Sequence, residues 1–257
     1  MRRFFVPPEK IVADKAELQT ADAHHLRTVM RLRPGDAIVV FDGTGKEYQA
    51  SVRSMDNRGV WVDLQSQADS TTESPLDIAL AQGFLKDKKM DELIRPLSEL
   101  GVTRWIPFKA QRSVPTPDPH RLAARQARWH KISLEALKQC RRNRPMAIEE
   151  PVSFQTALSL AEHYPLKLLF WEDESIALTH ALAEMQPKRV FILIGPEGGF
   201  ENSEVEQARV AGFQPLGLGP RILRAETATL SAAALVQFLW GDMGQRTETD
   251  RQQEKSG

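Results

Sequence analysis

Two short stretches carry the residue types from which a binding site could be built. In the first, Gly195, Pro196, Glu197, Gly198 and Gly199 follow the apolar run Val190–Ile194 and precede a polar helix start at Glu201–Ser203. Glycines at the carboxyl end of a strand let the backbone approach a ligand closely, because no Cβ intervenes. The same residues would also serve a tight strand–helix turn that needs positive φ. A phosphate loop fits less well, since no Lys-Ser/Thr follows the glycines and Glu197 would repel phosphate. In the second stretch, Leu216, Gly217, Leu218, Gly219 and Pro220 lead into Arg221, Ile222, Leu223 and Arg224. Ala225, Glu226 and Thr227 then open an apolar helix. Thr227 or Glu226 falls near the start of that helix, where free N–H groups favour acceptors and anions. Two glycine loops at the ends of two strands make a cleft suited to a nucleoside-like ligand.

The elements that must position these loops can be read from periodicity and breakers. Near the N-terminus, Ala21–Leu32 has helical character and stops at Arg33-Pro34-Gly35. Asp36–Asp42, Glu47–Ser54 and Gly59–Leu64 read as strands of a small β-barrel. Gln67–Pro75 is polar and free of large apolar groups, which makes it the expected linker. Beyond it, strands are predicted at Leu76–Gln82, Trp105–Phe108, Lys167–Trp171 and Arg189–Gly195, with a short extended run at Leu216–Leu218. Helices are predicted at Lys89–Leu100, Arg121–Cys140, Ile176–Met185, Glu201–Ala211 and Ala225–Trp240. This alternation predicts an α/β fold with a mostly parallel sheet covered on both faces. The domains expected are 1–72 and 73–243, followed by a charged tail, 244–257, with nothing to bury and expected to be disordered.

Composition sets outer limits. The chain of 257 residues is 41% hydrophobic and 26% charged, ordinary for a protein with a real core. No apolar run approaches the ~20 residues of a membrane helix, and the N-terminus lacks a signal-peptide apolar region. The single cysteine, Cys140, excludes an internal disulfide, and a cytoplasmic location is expected. Six scattered histidines give no zinc-ligand spacing, so no metal is expected. Net charge is zero, yet residues 104–144 hold eleven lysines and arginines against two acidic residues. Such a segment is either a surface for a polyanion or a solvated helix face.

The two glycine stretches, Ile194–Gly199 and Leu218–Ala228, resemble those of the SPOUT methyltransferases, and most closely the RsmE family. The resemblance covers nearly the whole chain. Arg3-Phe4-Phe5, His25-Leu26, Val29–Leu32, Gly35-Asp36 and Phe41-Asp42-Gly43 resemble that family's PUA-like RNA-binding domain. Lys86, Lys89-Met90-Asp91, Glu99–Val102, Arg112-Ser113-Val114, Glu135-Ala136, Gln139 and Arg142 fall at its spacing. Two departures are Pro96, where the family usually has lysine inside a helix, and Pro145, which arrives about one residue early.

The resemblance implies methylation of N3 of a uridine in 16S rRNA by S-adenosylmethionine, bound within a trefoil-knotted C-terminal domain of a homodimer. It implies that Leu193, Ile194, Gly195, Pro196, Glu197, Gly198 and Gly199, with Leu216, Gly217, Leu218, Gly219, Arg221, Ile222, Leu223 and Thr227, hold the cofactor. Arg3, Arg31, Lys86, Lys89, Arg112, Arg142 and Arg144 are the expected RNA contacts, and neither DNA nor a membrane is expected as a partner. Uridine N3 must lose a proton, so a base or a nearby cation is needed. Arg224, Arg112 and Arg142 are the candidate cations. Glu197 or Glu226 would be the base, or would hold backbone or a partner arginine. Arg121, Arg125, Arg128, Lys131 and Lys138 repeat at helical spacing and would follow phosphates. The apolar residues of Ala228–Trp240 serve core or subunit interface. Two competing readings are a SPOUT enzyme acting on tRNA or another rRNA position, and a non-catalytic ribosome-assembly factor.

Overall fold

The computed structural model describes residues 2–18, 20–56, 59–69, 72–86, 88–113, 119–174 and 185–244. The helix expected at Ile176–Met185 and the tail at 244–257 therefore lie outside the described residues, save Met185 and Gly244. The chain divides into two compact units, Met1–Glu73 with Ser133–Pro145, and Ser74–Ile132 with Met146–Gly257.

The first unit is built on a six-stranded sheet. Its strands are β1 (Arg3–Phe5), β2 (Ile11–Val12), β3 (Lys15–Glu17), β4 (Ala37–Phe41), β5 (Lys46–Asp56) and β6 (Gly59–Asp69), in the order β1-β4-β5-β6-β3-β2. Only β1 and β4 run parallel. Register shifts between Tyr48 and Ala50 and between Val52 and Ser54 mark bulges, which bend and twist a long hairpin. Ile38, Val40, Ala50, Val52, Val60 and Val62 point inward at period two and meet Leu26 of α1 (Thr20–Thr28). β6 continues through residues assigned from sequence to the linker. Its polar end, exposed from Gln65 to Asp69, pairs with the start of β5, so strand pairing rather than burial holds it.

The second unit is the expected α/β layer structure. Five strands form an all-parallel sheet in the order β8-β7-β12-β11-β13. They are β7 (Asp77–Gly83), β8 (Arg104–Lys109), β11 (Leu166–Phe170), β12 (Arg189–Ile194) and β13 (Gln214–Leu216). The short strands β9 (Ala147–Ile148) and β10 (Val152–Ser153) add to β8. β7 and β12 are buried along almost their whole length, as strands covered on both faces must be. Alternate residues feed separate cores. Ile78, Leu80, Val190 and Ile192 meet α2 (Lys89–Glu99) and the C-terminal helix Ala225–Trp240, with Trp129 of α3 (Pro119–Cys140) in the same cluster. Ala79, Ala81, Phe191 and Leu193 join a cluster with α4 (Phe154–Leu160) and α5 (Asn202–Val210). The C-terminal helix is α6. Helix α2 runs one turn beyond Pro96, whose carbonyl accepts from Leu100 N–H at 2.8 Å.

Strand order is what assembles a site. β12 lies between β7 and β11, and β11 between β12 and β13, so the chain leaves all four at neighbouring carboxyl ends. Ligands of parallel sheets bind along that edge. No helix among the described residues is long and apolar enough to cross a membrane.

Candidate active site

At the end of β12 the chain turns at once. Gly199 N–H donates to the Pro196 carbonyl at 3.0 Å, and Gly199 has φ of 68°, a conformation that strains any side chain. A Cβ there would also collide with the Glu172 carboxylate. Gly83, at the end of β7, faces the same turn, and a Cβ on it would lie 2.7 Å from Pro196 N. The stretch is thus both a tight positive-φ turn and a cavity wall. It is braced from several sides. Gln82 Nε2 donates to Gly195 O at 3.1 Å and Arg112 Nη1 to Gly198 O at 3.1 Å. Arg112 Nε also holds Glu201 at 2.8 Å, and Lys86 N–H donates to Glu197 Oε1 at 3.0 Å.

The second glycine stretch differs. β13 ends at Leu216, two residues before the expected end of the extended run, Gly217 adds a single bridge, and Leu218–Arg224 is loop. Among the described residues, no backbone group of Leu218–Leu223 pairs with another backbone group. Ile222 is 87% exposed. The exposed Arg221 and Arg224 side chains make no hydrogen bond or ion pair with described residues. Arg224 caps α6, its carbonyl accepting from Ala228 N–H at 2.8 Å.

Between the two loops lies a cavity of about 310 Å³, within the range of small-molecule sites. Ile194, Gly195, Pro196, Glu197 and Gly199 line one side, and Leu218, Gly219, Arg221, Ile222, Leu223 and Arg224 the other. Phe170, the last residue of β11, and Trp171 and Glu172 after it supply a third wall that sequence reasoning missed, together with Ala225 and Ala228 of α6. The predicted strand at Lys167–Trp171 carries part of the signal for that wall: it puts these residues at the binding edge of a parallel sheet, but not beside these two loops.

Lys89, expected on RNA, also lines the cavity and bridges two carboxylates, Glu197 at 3.3 Å and Glu226 at 3.2 Å. The hydrogen bond to Glu226 is the main reason its pKa is raised. Burial pushes the Glu226 pKa up, but its own backbone N–H and Lys89 outweigh that and hold it below the ordinary value. A carboxylate so stabilised is a weakened proton acceptor, which counts against Glu226 as the base. Glu197, engaged by the same ammonium and the Lys86 N–H, acts as a brace.

Other expected residues fall elsewhere. Leu193 and Leu216 are core residues at 0% and 1% exposure, and Gly198, Gly217 and Thr227 stand outside the cavity wall. In the first unit, Arg3 and Arg142 turn inward. Arg3 holds Glu47 at 2.7 Å and donates to Asn143 Oδ1. Arg142 is buried and holds Glu73 at 3.0 Å. The same Glu73 accepts from the backbone N–H groups of Asn143 and Arg144. Arg31 and Arg144 are exposed, as is Lys86. On α3, Arg125 and Arg128 pair with Asp91, and Lys138 with Asp22 and Glu135, so the basic helix is only partly open to phosphates. No group of three or more His, Cys, Asp or Glu side chains among the described residues could hold a metal ion.

A parallel sheet that carries two glycine loops on its carboxyl edge is a ligand-binding α/β architecture, and similarity to known proteins gives its class. Residues 72–237 match the RNA methyltransferase domain family, and residues 18–65 the RNA methyltransferase PUA domain. The chain belongs to the ribosomal RNA small subunit methyltransferase E family. It is 31% identical over 247 residues to the Bacillus subtilis member, covering 93% of this chain and 96% of that one. The structure of the Neisseria gonorrhoeae member bound to S-adenosyl methionine superposes with a TM-score of 0.82 at 33% identity, covering 95% and 99% of the two chains. A Legionella pneumophila protein in complex with the bound cofactor SAM gives 0.85 at 32% identity, with the same coverage.

Proposed function

We propose that this protein transfers the methyl group of S-adenosylmethionine to N3 of a uridine in 16S rRNA, acting as a cytoplasmic homodimer. The observation that carries the reading is the cavity between the glycine loops, in a chain whose relatives from two bacteria hold that cofactor. The residues present fit it. Gly195 and Gly199 keep Cβ atoms out of one wall, and Leu218, Ile222 and Leu223 give an apolar opposite wall for a base. The unpaired backbone groups of Leu218–Leu223 are free to recognise its edges. The sulfonium supplies a methyl group already activated for transfer.

The protein's part is alignment and electrostatics. Arg112, through Gly198 O and Glu201, fixes the first loop, and Lys89 holds both carboxylates at the cavity rim. Arg224 lines the cavity, its guanidinium making no hydrogen bond or ion pair with a described residue though its charge reaches Glu226, and is the cation that stabilises the uracil as N3 gives up its proton. Arg221 and Lys86 meet phosphate, and the PUA-like domain adds RNA grip through exposed cations such as Arg31 and Arg144. Leu235 and Phe238, 40% and 60% exposed at helical spacing on α6, support burial of this face by a second copy.

The test is methyl transfer from labelled S-adenosylmethionine to unmodified small subunits, naked 16S rRNA and tRNA in parallel. Label recovered as 3-methyluridine from the small-subunit RNA is expected. Label on another nucleoside, or on tRNA alone, overturns the assignment.

A further inference from the structure

Gln82 and Thr229 are polar side chains with 0% exposure, and neither touches solvent or the cavity. Gln82 ends β7, and Thr229 lies in the second turn of α6. Gln82 Nε2 donates to Gly195 O and to Gly83 O, both at 3.1 Å. Its Oε1 lies 2.5 Å from Thr229 Oγ1, which also lies 2.7 Å from Ala225 O. Two carbonyls at one end of the amide demand its NH₂ there, so the oxygen must face the hydroxyl. The single hydroxyl proton serves Gln82 and Ala225 together.

Gly195 and Ala225 sit on different walls of the cavity. We propose that Gln82 and Thr229 are positioning residues: their buried tie sets the spacing between the Gly195 turn and the first turn of α6, and so the width of the cofactor site. Gly83 is an independent part of the same device. Its missing Cβ lets Pro196 approach closely enough for the neighbouring amide to reach Gly195. A buried amide with both ends engaged has one low-energy orientation, and breaking either end leaves a polar group unpaired away from water. The tie therefore resists widening of the site as well as collapse. The inference rests on the proposed S-adenosylmethionine site.

The test compares Thr229→Val, which keeps shape and removes the hydroxyl, with Thr229→Ser, which restores it. S-adenosylmethionine affinity is measured by calorimetry well below each variant's melting temperature, and KM for cofactor and RNA separately. Thr229→Val is expected to raise the cofactor Kd and KM about tenfold, the equivalent of ~1.4 kcal/mol, with KM for RNA unchanged. Thr229→Ser should return the cofactor Kd to within about twofold of wild type, since its hydroxyl can make the same bond. If Thr229→Val fails to fold, Gln82→Met asks the same question from the other end, since it removes the donor to Gly195 O without burying a charge. A lower melting temperature with wild-type cofactor affinity would mean a merely structural tie and overturn the inference while leaving the function intact. Wild-type protein that binds no S-adenosylmethionine removes both.

Discussion

The two glycine loops look alike in sequence and are held in opposite ways. In Gly195–Phe200 the carbonyls of Gly195, Pro196 and Gly198 are all engaged, by Gln82, Gly199 and Arg112, and Lys86 and Lys89 hold the Glu197 side chain. Across the cavity, Leu218–Leu223 has no backbone partner among the described residues, and the side chains of Arg221 within it and Arg224 after it are open. Glycine serves different ends in the two. Gly199 admits a positive-φ turn within a crowded site, whereas Gly219, at φ of 95°, has no atom near its missing Cβ. One loop is a wall finished by the fold, and the other is left for ligands to finish. Affinity for cofactor should therefore fail with the first loop, and turnover or RNA capture with the cations of the second.

The largest effect is expected from Gly199→Val. Positive φ and the Glu172 clash reshape the braced turn, and calorimetry should show cofactor affinity lowered at least ~100-fold, about 3 kcal/mol. Arg224→Ala should reduce kcat about 100-fold, the range for loss of one charge-stabilising donor. In single-turnover assays its cofactor Kd should stay within about twofold of wild type, since Arg224 braces neither wall. Loss of affinity in step with activity would erase the distinction between the loops. Arg221→Ala is expected to raise KM for RNA and shrink the slope of log K against log salt by about one phosphate contact.

The smallest effect concerns the rim clasp. Glu226 has a lowered pKa, so its contribution is present above the unfolded value of 4.5 and is lost as pH falls through the folded value. Lys89 has a raised pKa, so its contribution is full below 10.5 and lost as pH rises through the folded value. Cofactor affinity should accordingly stay flat from about pH 5 to pH 10 as far as this clasp is concerned. Glu226→Gln should remove the acid limb in a calorimetric pH series. Lys89→Met should weaken cofactor binding by less than about fivefold, as expected for a rim ion pair.

The sheet was legible because its strands are fully covered. Val190–Ile194 and Ile78–Ala81 are apolar without a break, and glycine follows each closely, at Gly195 and Gly83. The cavity's third wall was not legible in the same way. Phe170, Trp171 and Glu172 become a wall only because β11 lies between β12 and β13, a fact of strand order that no local pattern records. From sequence Lys89 reads as an RNA cation, because its carboxylate partners stand more than a hundred residues away. Arg3 and Arg142 read from sequence as open cations for the same reason, their partners Glu47 and Glu73 being 44 and 69 residues distant. Periodicity also marks β6 as ending early, because strand pairing carries its polar end to Asp69. A trefoil knot, implied by resemblance, is a property of chain threading that periodicity does not encode.

The contrast between a finished wall and an unfinished one is tested most directly by amide hydrogen exchange with and without S-adenosylmethionine. Amides of Leu218–Arg224 should slow at least ~10-fold when cofactor is added, as its contacts replace water on unpaired groups. Those of Gly195–Phe200, already held by the fold, should change much less. Protection gained mainly at Gly195–Phe200, with Leu218–Arg224 unaffected, would contradict the account.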